Sequence, residues 1–346
     1  MFDIKKLQTE YTLDVLKTTD KLEYFYLSKN KYITWDIVLN NIEKQWDWYK
    51  LSFNPNITWD IICNNPDKPW SWYGIAENPN ITWNIILSNP DKTWCWTYIS
   101  KHPNITWDII CNNPDKTWCW YEISENPNIT WDIIISNPDK KWNWFRLSKH
   151  PHLTWDIIVN NLDKLWYWYF ISQHPNITWK IICNNFDKPW DWSGISKNPN
   201  ITWDIICNNP DKPWEWYYIS YNPHITWDII CNNPDRPWDW LAVSYNVNIT
   251  WAVIFDNLDK PWNWRGISYN PNITWDIISN NQDKPWDWCH ISMNEHIFKL
   301  SDDLLIKRLK QYFAAKKIYR YWFTCNTNPA YAICRKRLLN EFTKLS

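Results

Sequence analysis

Tryptophan recurs at positions 35, 59, 83, 107, 131, 155, 179, 203, 227, 251 and 275, an interval of 24 residues every time. A Trp-x-Trp pair follows eleven residues after each, from Trp46/Trp48 to Trp286/Trp288. With Trp322 in the tail these make up the 34 Trp of the 346-residue chain, and no insertion breaks the register between 34 and 297. A strict period this short means units too small to bury their own apolar faces. Such units share a core with their neighbours in a quasi-one-dimensional stack.

The typical unit reads Ile-Thr-Trp-Asp-Ile-Ile-Cys-Asn-Asn-Pro-Asp-Lys-Pro-Trp-Asp-Trp-Tyr-Tyr-Ile-Ser-Tyr-Asn-Pro-Asn. Two short helices per unit fit it best. Thr34 and its equivalents precede the Trp, where a hydroxyl caps free backbone N–H groups. Asp36 and most equivalents fall in the first turn, favoured by the helix dipole. Trp59, Ile62 and Cys63 share a face at i, i+3, i+4. Asn65-Pro66 reads as a stop, with Asn in the left-handed conformation. Asp67-Lys68-Pro69 opens the second helix, Trp72, Ile75 and Ala76 line its inner face, and Asn78-Pro79-Asn80 ends it. A β-solenoid is the rival, because Ile57, Trp59, Ile61 and Cys63 also alternate. It leaves the Thr cap and the Asn-Pro stop unexplained.

The expected fold is therefore all-α: an α-solenoid of about eleven 24-residue helix-turn-helix repeats. Layers ~8–10 Å apart predict a rod or superhelix on the order of 100 Å long. Residues 1–33 read as a degenerate N-terminal capping repeat, with Tyr11, Leu22, Tyr24 and Ser28 in the places of Trp35, Trp46, Trp48 and Ser52. The array spans 34–297, and 298–346 is a basic, amphipathic, helical tail. Residues 299–346 carry a net +8 and the remainder −9.

Composition excludes several classes. Three Gly are too few for a P-loop, a dinucleotide fingerprint or a kinase-type loop. An aromatic content of 18% argues against disorder. No apolar run reaches membrane-spanning length, and the N-terminus lacks a signal-peptide stretch, so we expect an intracellular protein with no membrane partner. Five cysteines (Cys63, Cys111, Cys183, Cys207, Cys231) share a column with Leu39, Leu87, Ile135, Val159 and Phe255. They read as small core hydrophobes rather than metal ligands or disulfides. The eight Asn-Ile-Thr triplets read as helix starts rather than glycosylation sites.

Catalysis needs unlike groups converging at one place, and a regular array offers eleven similar places. His102, His150 and His174 replace the first Asn of the Asn-Pro-Asn turn, and His152, His224 and His296 the second. Turn capping is the expected role. The repeated Asp-Lys pairs, such as Asp67-Lys68, read as a solvated charge ladder. No catalytic residue, cofactor or metal site is expected. Trp35-type and Trp48-type residues read as core, while Trp46-type residues are candidates for an exposed ladder.

Three columns vary freely: those beginning at Asp47, Lys50 and Phe53. Spaced i, i+3, i+6, they read as one exposed helix face and a candidate ligand strip, richest at Tyr167, Phe170, Tyr218, Tyr221, Tyr245 and Tyr269. In the tail, Lys316, Lys317, Arg320, Arg335, Lys336 and Arg337 form the candidate basic element.

The runs Asn-Pro-Asn-Ile-Thr-Trp-Asp-Ile-Ile and Asn-Pro-Asp-Lys-Pro-Trp-Asp-Trp resemble the Trp-rich repeat proteins of giant viruses of the mimivirus type. Asn328-Pro-Ala-Tyr331 with Cys334-Arg-Lys-Arg337 is similar to their basic C-terminal end. The resemblance implies a viral origin and a setting in the host cytoplasm or the virion, and carries over no catalytic residue. The leading expectation is a non-catalytic scaffold binding a protein or peptide. The alternatives are nucleic acid or another acidic partner bound through the basic tail, and glycan binding by exposed Trp.

Overall fold

The computed structural model describes residues 4–299 and, in the C-terminal segment, 305–307, 310, 314, 317, 319, 320 and 324. Residues 1–298 form one compact unit and 299–346 a second. Among the described residues every element is helical. Each 24-residue unit supplies a first helix such as Trp59–Asn64 and a second such as Trp72–Glu77. The all-α repeat architecture expected from the periodicity is what the chain adopts.

The first helix starts as its sequence dictates. Thr58 is extended, and its hydroxyl accepts from the Ile61 N–H at 3.4 Å. The end is made differently from the expected left-handed stop: no residue in the described chain has positive φ. Asn65 stays at φ −132, ψ 58, and its side-chain amide donates to the Ile61 carbonyl at 2.8 Å. The side chain satisfies a free helix carbonyl directly, so no inverted backbone is required.

The second helix begins later than Asp67-Lys68-Pro69. That segment is a tight turn, with Lys68 N–H on Asn65 O and Trp70 N–H on Lys68 O. Trp70 locks it by donating its indole N–H to Asn65 O at 2.8 Å. The helix starts at Trp72, and Ser71 is its cap, accepting from Gly74 N–H. Asp47, Asn143, Asp191, Asp239, Asn263 and Asp287 cap in the same way. The first variable column is thus a cap position, and the three columns do not form one helix face.

Trp46-type residues are the most buried of the three Trp columns, Trp46 being 6% exposed. Trp35-type and Trp48-type residues are mostly half-buried. The reason is a wedge. Trp70 packs against Trp35 (5.5 Å) and edge-on against Trp48 (5.2 Å) of the preceding unit, and the pattern repeats at Trp94, Trp118 and Trp142. Two indoles flank a third, which is buried at Trp94 and Trp142 and half-buried at Trp70 and Trp118. Cys63 and its four Cys equivalents are exposed, as are Leu39, Leu87, Ile135 and Phe255, so they are not core. In a helix of six residues Ile62 alone is buried, and the next position already turns outward.

On the other side of each unit the spacers are small. Second helices pack directly on second helices: Trp48–Phe53 on Trp72–Glu77, Trp168–Ser172 on Trp192–Lys197, Trp240–Tyr245 on Trp264–Tyr269. Among the described residues no first helix packs comparably on another. A Cβ on Gly74 would stand 2.5 Å from Tyr49 O and 2.8 Å from the Ser52 Cβ. Buried serines line this seam. Ser52 Oγ donates to Trp48 O and accepts from Ser71 N–H of the next unit at 2.9 Å. Beside it runs an asparagine ladder. Asn78 Nδ2 donates to Ser52, Asn54 and Ile57 carbonyls, and Asn78 Oδ1 accepts from Asn80 N–H.

Large wedges on one side and small spacers on the other make every step turn the same way, and the turn closes. Helix Tyr24–Leu27 packs on the last second helix, Trp288–Met293. Glu23 N–H donates to Ser292 Oγ at 2.8 Å, the same rung that joins Asp47 to Ser28. Helix Ile4–Thr18 lies against the 3-10 turn Glu295–Phe298, Gln8 donates to Phe298 O, and Lys31 pairs with Glu295 at 3.3 Å. The degenerate first unit is therefore the twelfth member of a ring rather than the cap of a rod. Twelve steps of about 30° close it. Two helix layers ~10 Å apart then diverge by ~5 Å per step, about the room an indole takes. The extended rod or superhelix expected from the period does not form.

Candidate functional site

In a closed ring the layer with the closer neighbours is the inner one, so the second helices line the central opening. Twelve helices ~8 Å apart, less their side chains, leave an opening on the order of 20 Å. The residues facing it are the variable ones. The column beginning at Phe53 and a column not singled out from the sequence, beginning at Tyr49, carry the exposed side chains: Tyr73, Tyr121, Phe145, Tyr217, Tyr221 and Tyr269 among them. The column beginning at Lys50 lies between adjacent helices and is half-buried or buried. Gly74, Gly194, Ala242 and Gly266 occupy it, and so does Glu122, 7% exposed. This corrects the expectation that such varied residues must all be solvent-exposed. They vary because the room between two helices varies.

The inner wall has two contrasting arcs. Between Glu77 and Lys149 its charges pair with one another. Lys101 bonds Glu77 at 2.8 Å, and Arg146 holds Glu122 at 3.0 Å and also bonds Glu125. Arg146 stacks over Tyr121 (4.2 Å), and Lys149 over Phe170 (4.5 Å). Burial, with the Glu77 charge behind it, pushes the Tyr49 hydroxyl up to about 12.

From Tyr217 to Met293 the wall is instead uncharged for most of its length and open. Tyr217, Tyr221, Tyr245 and Tyr269 join His290 and Met293 around a cavity of about 550 Å³ spanning four units. Tyr221 is 49% and Tyr269 41% exposed. Tyr245 and Tyr269 meet edge-on at 5.9 Å. Burial raises the Tyr245 hydroxyl, which stays a neutral donor. At one end Arg265 Nε donates to His290 Nε2 at 2.9 Å.

The structure thus splits the six aromatic residues expected to act as one strip. Tyr221, Tyr245 and Tyr269 come together. Tyr167 and Phe170 pack with Phe145 in a separate cluster. Tyr218 hydrogen-bonds Tyr169, whose hydroxyl is pushed up to about 12 by burial and by that bond. Tyr217 was missed because its column looked like a position within the helix rather than its inward face. The signal was available: Tyr or Phe fills it at 25, 49, 73, 121, 145, 169 and 217.

Asp287, Cys289 and His290 bring their ligand atoms within 4.8 Å of one another. His290 Nδ1 lies 2.9 Å from Asp287 Oδ1, while its Nε2 already accepts from Arg265. With Nε2 engaged by Arg265 and that guanidinium alongside, the group suits a metal ion poorly, although His290 Nδ1 is buried and makes no hydrogen bond among the described residues. The remaining histidines sit in turns: His102, His150 and His174 replace the ladder asparagine, and His224 Nε2 contacts Pro199 O. The Asp-Lys pairs are exposed contacts such as Lys68–Asp67 at 2.6 Å, which hold the Asp carboxyls below their ordinary range.

Of the basic tail residues, Lys317 and Arg320 are helical and exposed. Lys316, Arg335, Lys336 and Arg337 lie outside the described residues. No helix among the described residues is long and apolar enough to cross a membrane. Compared with protein-family models, curated proteins and solved structures, the chain matches none.

Proposed function

We propose that this protein is a non-catalytic binding ring that takes a segment of a partner protein against the tyrosine arc of its inner wall. The observation that carries the reading is the open cavity across four units, lined by Tyr217, Tyr221, Tyr245 and Tyr269. Tyrosine supplies a large apolar face and a hydrogen-bonding tip with few rotors to freeze, so it dominates binding hot spots. The volume is in the range of pockets that enclose peptide side chains. In the setting implied by the resemblance, the partner is a protein of the host cytoplasm or of the virion.

A second reading places an acidic partner, nucleic acid included, on the basic C-terminal segment. Its support is the net +8 of residues 299–346, with Lys317 and Arg320 exposed. Glycan binding through Trp draws less support, because the indole faces a sugar would stack on are turned to other indoles.

A crosslinking pull-down with the full chain tests the choice. Tyr221→Ala/Tyr269→Ala is expected to lose the partner while Lys317→Glu/Arg320→Glu keeps it. The reverse pattern overturns the reading in favour of the tail.

A further inference from the structure

The ring has one step without an asparagine rung and three whose rung is a histidine, His102, His150 and His174, the last of them directly across from it. At the step where the last unit meets the first, the serine rung is present: Glu23 N–H on Ser292 Oγ. The asparagine rung is not. Asn30 occupies its position and is 2% exposed, yet its Nδ2 has no partner among the described residues. At Asn54, Asn78 and Asn126 the same amide donates to two or three carbonyls of the preceding unit. This step is also the one place where no peptide bond joins neighbouring units. Among the contacts that join it are the serine rung, the exposed Lys31–Glu295 pair, Lys21 over Trp288, a Tyr26–Cys289 hydrogen bond, the Gln8 contact and the packing of Tyr24–Leu27 on Trp288–Met293.

Six units away, halfway round, the rung is built from histidines. His174 Nε2 contacts His150 O at 3.2 Å, and His174 Nδ1 accepts from Asn176 N–H at 3.2 Å. In the next rung His150 Nε2 contacts Asn126 O, and its Nδ1 accepts from His152 N–H. A ring nitrogen that accepts from a backbone N–H carries no proton, so each imidazole is neutral with its proton on Nε2. This copies an asparagine: one acceptor to its own turn and one donor to the previous unit. The copy differs in one respect. An asparagine does not titrate. A second proton on His174 or His150 turns Nδ1 from an acceptor into a donor facing another donor.

We propose that this histidine rung is a pH-sensitive hinge, and that protonating it opens the ring at the opposite step, between Ser292 and Glu23. A closed ring cannot change its angle at one step without changing it elsewhere. The displacement is taken up at the step that lacks both the asparagine rung and a covalent link. Burial disfavours the imidazolium at both histidines. The titratable groups facing His150 are His152, His174 and Glu125, and Glu125 is itself held by Arg146 and Lys149. His174 faces the His150 carbonyl and no carboxylate. Protonated together, His150 and His174 repel. The sign follows from linkage. The open state takes up protons near the ordinary histidine value of 6.5 and the closed state only below it, so closure is lost as pH falls below about 6.5. Each histidine that must stay neutral shifts the balance by up to about tenfold per pH unit, and two by about a hundredfold. The inference does not depend on what the opening holds.

Amide hydrogen exchange read by mass spectrometry on the full chain tests it, at pH 7.5 and 5.5, with times scaled for intrinsic rates. The segment around Glu23 should lose at least tenfold protection at pH 5.5. The segment around Asp239, whose N–H rests on Ser220 Oγ, should keep its protection. His150→Asn/His174→Asn installs the residue most units carry, and should abolish the pH response at Glu23. His102→Asn, three units off the opposite position, should leave it. A Glu23 segment indifferent to pH, an equal loss around Asp239, or removal of the response by His102→Asn would each overturn the proposal.

Discussion

The two arcs of the inner wall are built on the same backbone and do opposite things with it. Around Arg146 the side chains spend their charges on one another, leaving little to offer a ligand. Around Tyr245 they leave apolar faces and hydroxyls turned to the opening. The difference lies in the two columns that begin at Lys50 and Phe53. Where these alternate Glu with Lys or Arg, as at Glu122, Glu125, Arg146 and Lys149, neighbouring units neutralise each other. Where they hold Gly, Ala and Tyr, as at Ala242, Gly266, Tyr245 and Tyr269, a cavity opens. A repeat can therefore keep its core fixed and write a ligand surface in two or three letters per unit.

The sharpest way to break this contrast is Arg146→Ala. It strands Glu122, whose side chain is 10% exposed, next to a second carboxylate, Glu125. Removing one partner of a buried pair costs about 3–5 kcal/mol, to be read by urea unfolding. The double change Glu122→Gln/Arg146→Met should recover most of it. Partner capture by the tyrosine arc should survive that double change.

Gly266→Val tests the tyrosine arc's own footing. Even a Cβ there would stand 2.7 Å from the Ser244 Cβ and 3.0 Å from Leu241 O. Spreading two inner helices should cost about 1–3 kcal/mol and deform the cavity, so that stability and partner capture fall together. Ser220→Ala removes the acceptor for Asp239 N–H and should cost about 1–3 kcal/mol if that N–H stays dry. Thermal unfolding reads the loss, and partner capture, which should be spared, distinguishes it from the Gly266 change.

The smallest expected effect on stability is the most informative. Tyr221→Ala and Tyr269→Ala remove exposed side chains and should change unfolding by no more than about 0.5 kcal/mol. Each should nevertheless weaken partner binding by about 2 kcal/mol, read by titration once a partner is in hand. The same substitution at Tyr121, in the charged arc, should leave binding unchanged.

Much of the fold was legible from local chemistry. The Thr cap, the place where Asn ends the first helix and the inward Ile of the second, as at Ile75, are decided by residues within one unit. The candidate site was half legible. Tyr221, Tyr245 and Tyr269 stand out because they interrupt a polar column, but Tyr217 and His290 join them only when four units are stacked. Cys63 misled because alternation with Leu and Ile marks a tolerated position as readily as a buried one. The Trp46-type column misled because the burial of members such as Trp94 depends on two indoles of the preceding unit.

What the sequence by itself determined is the unit: its length, its two helices, their caps and the recurring Trp, Ser and Asn that join one copy to the next. These follow from short-range hydrogen bonds and from a period that admits no slippage. What only the tertiary structure decided is closure, and with it which face is inside. Curvature is a small difference between two spacings, indole on one side and serine or glycine on the other. A small angle repeated twelve times becomes a circle only through the sum of all steps, which no single unit contains.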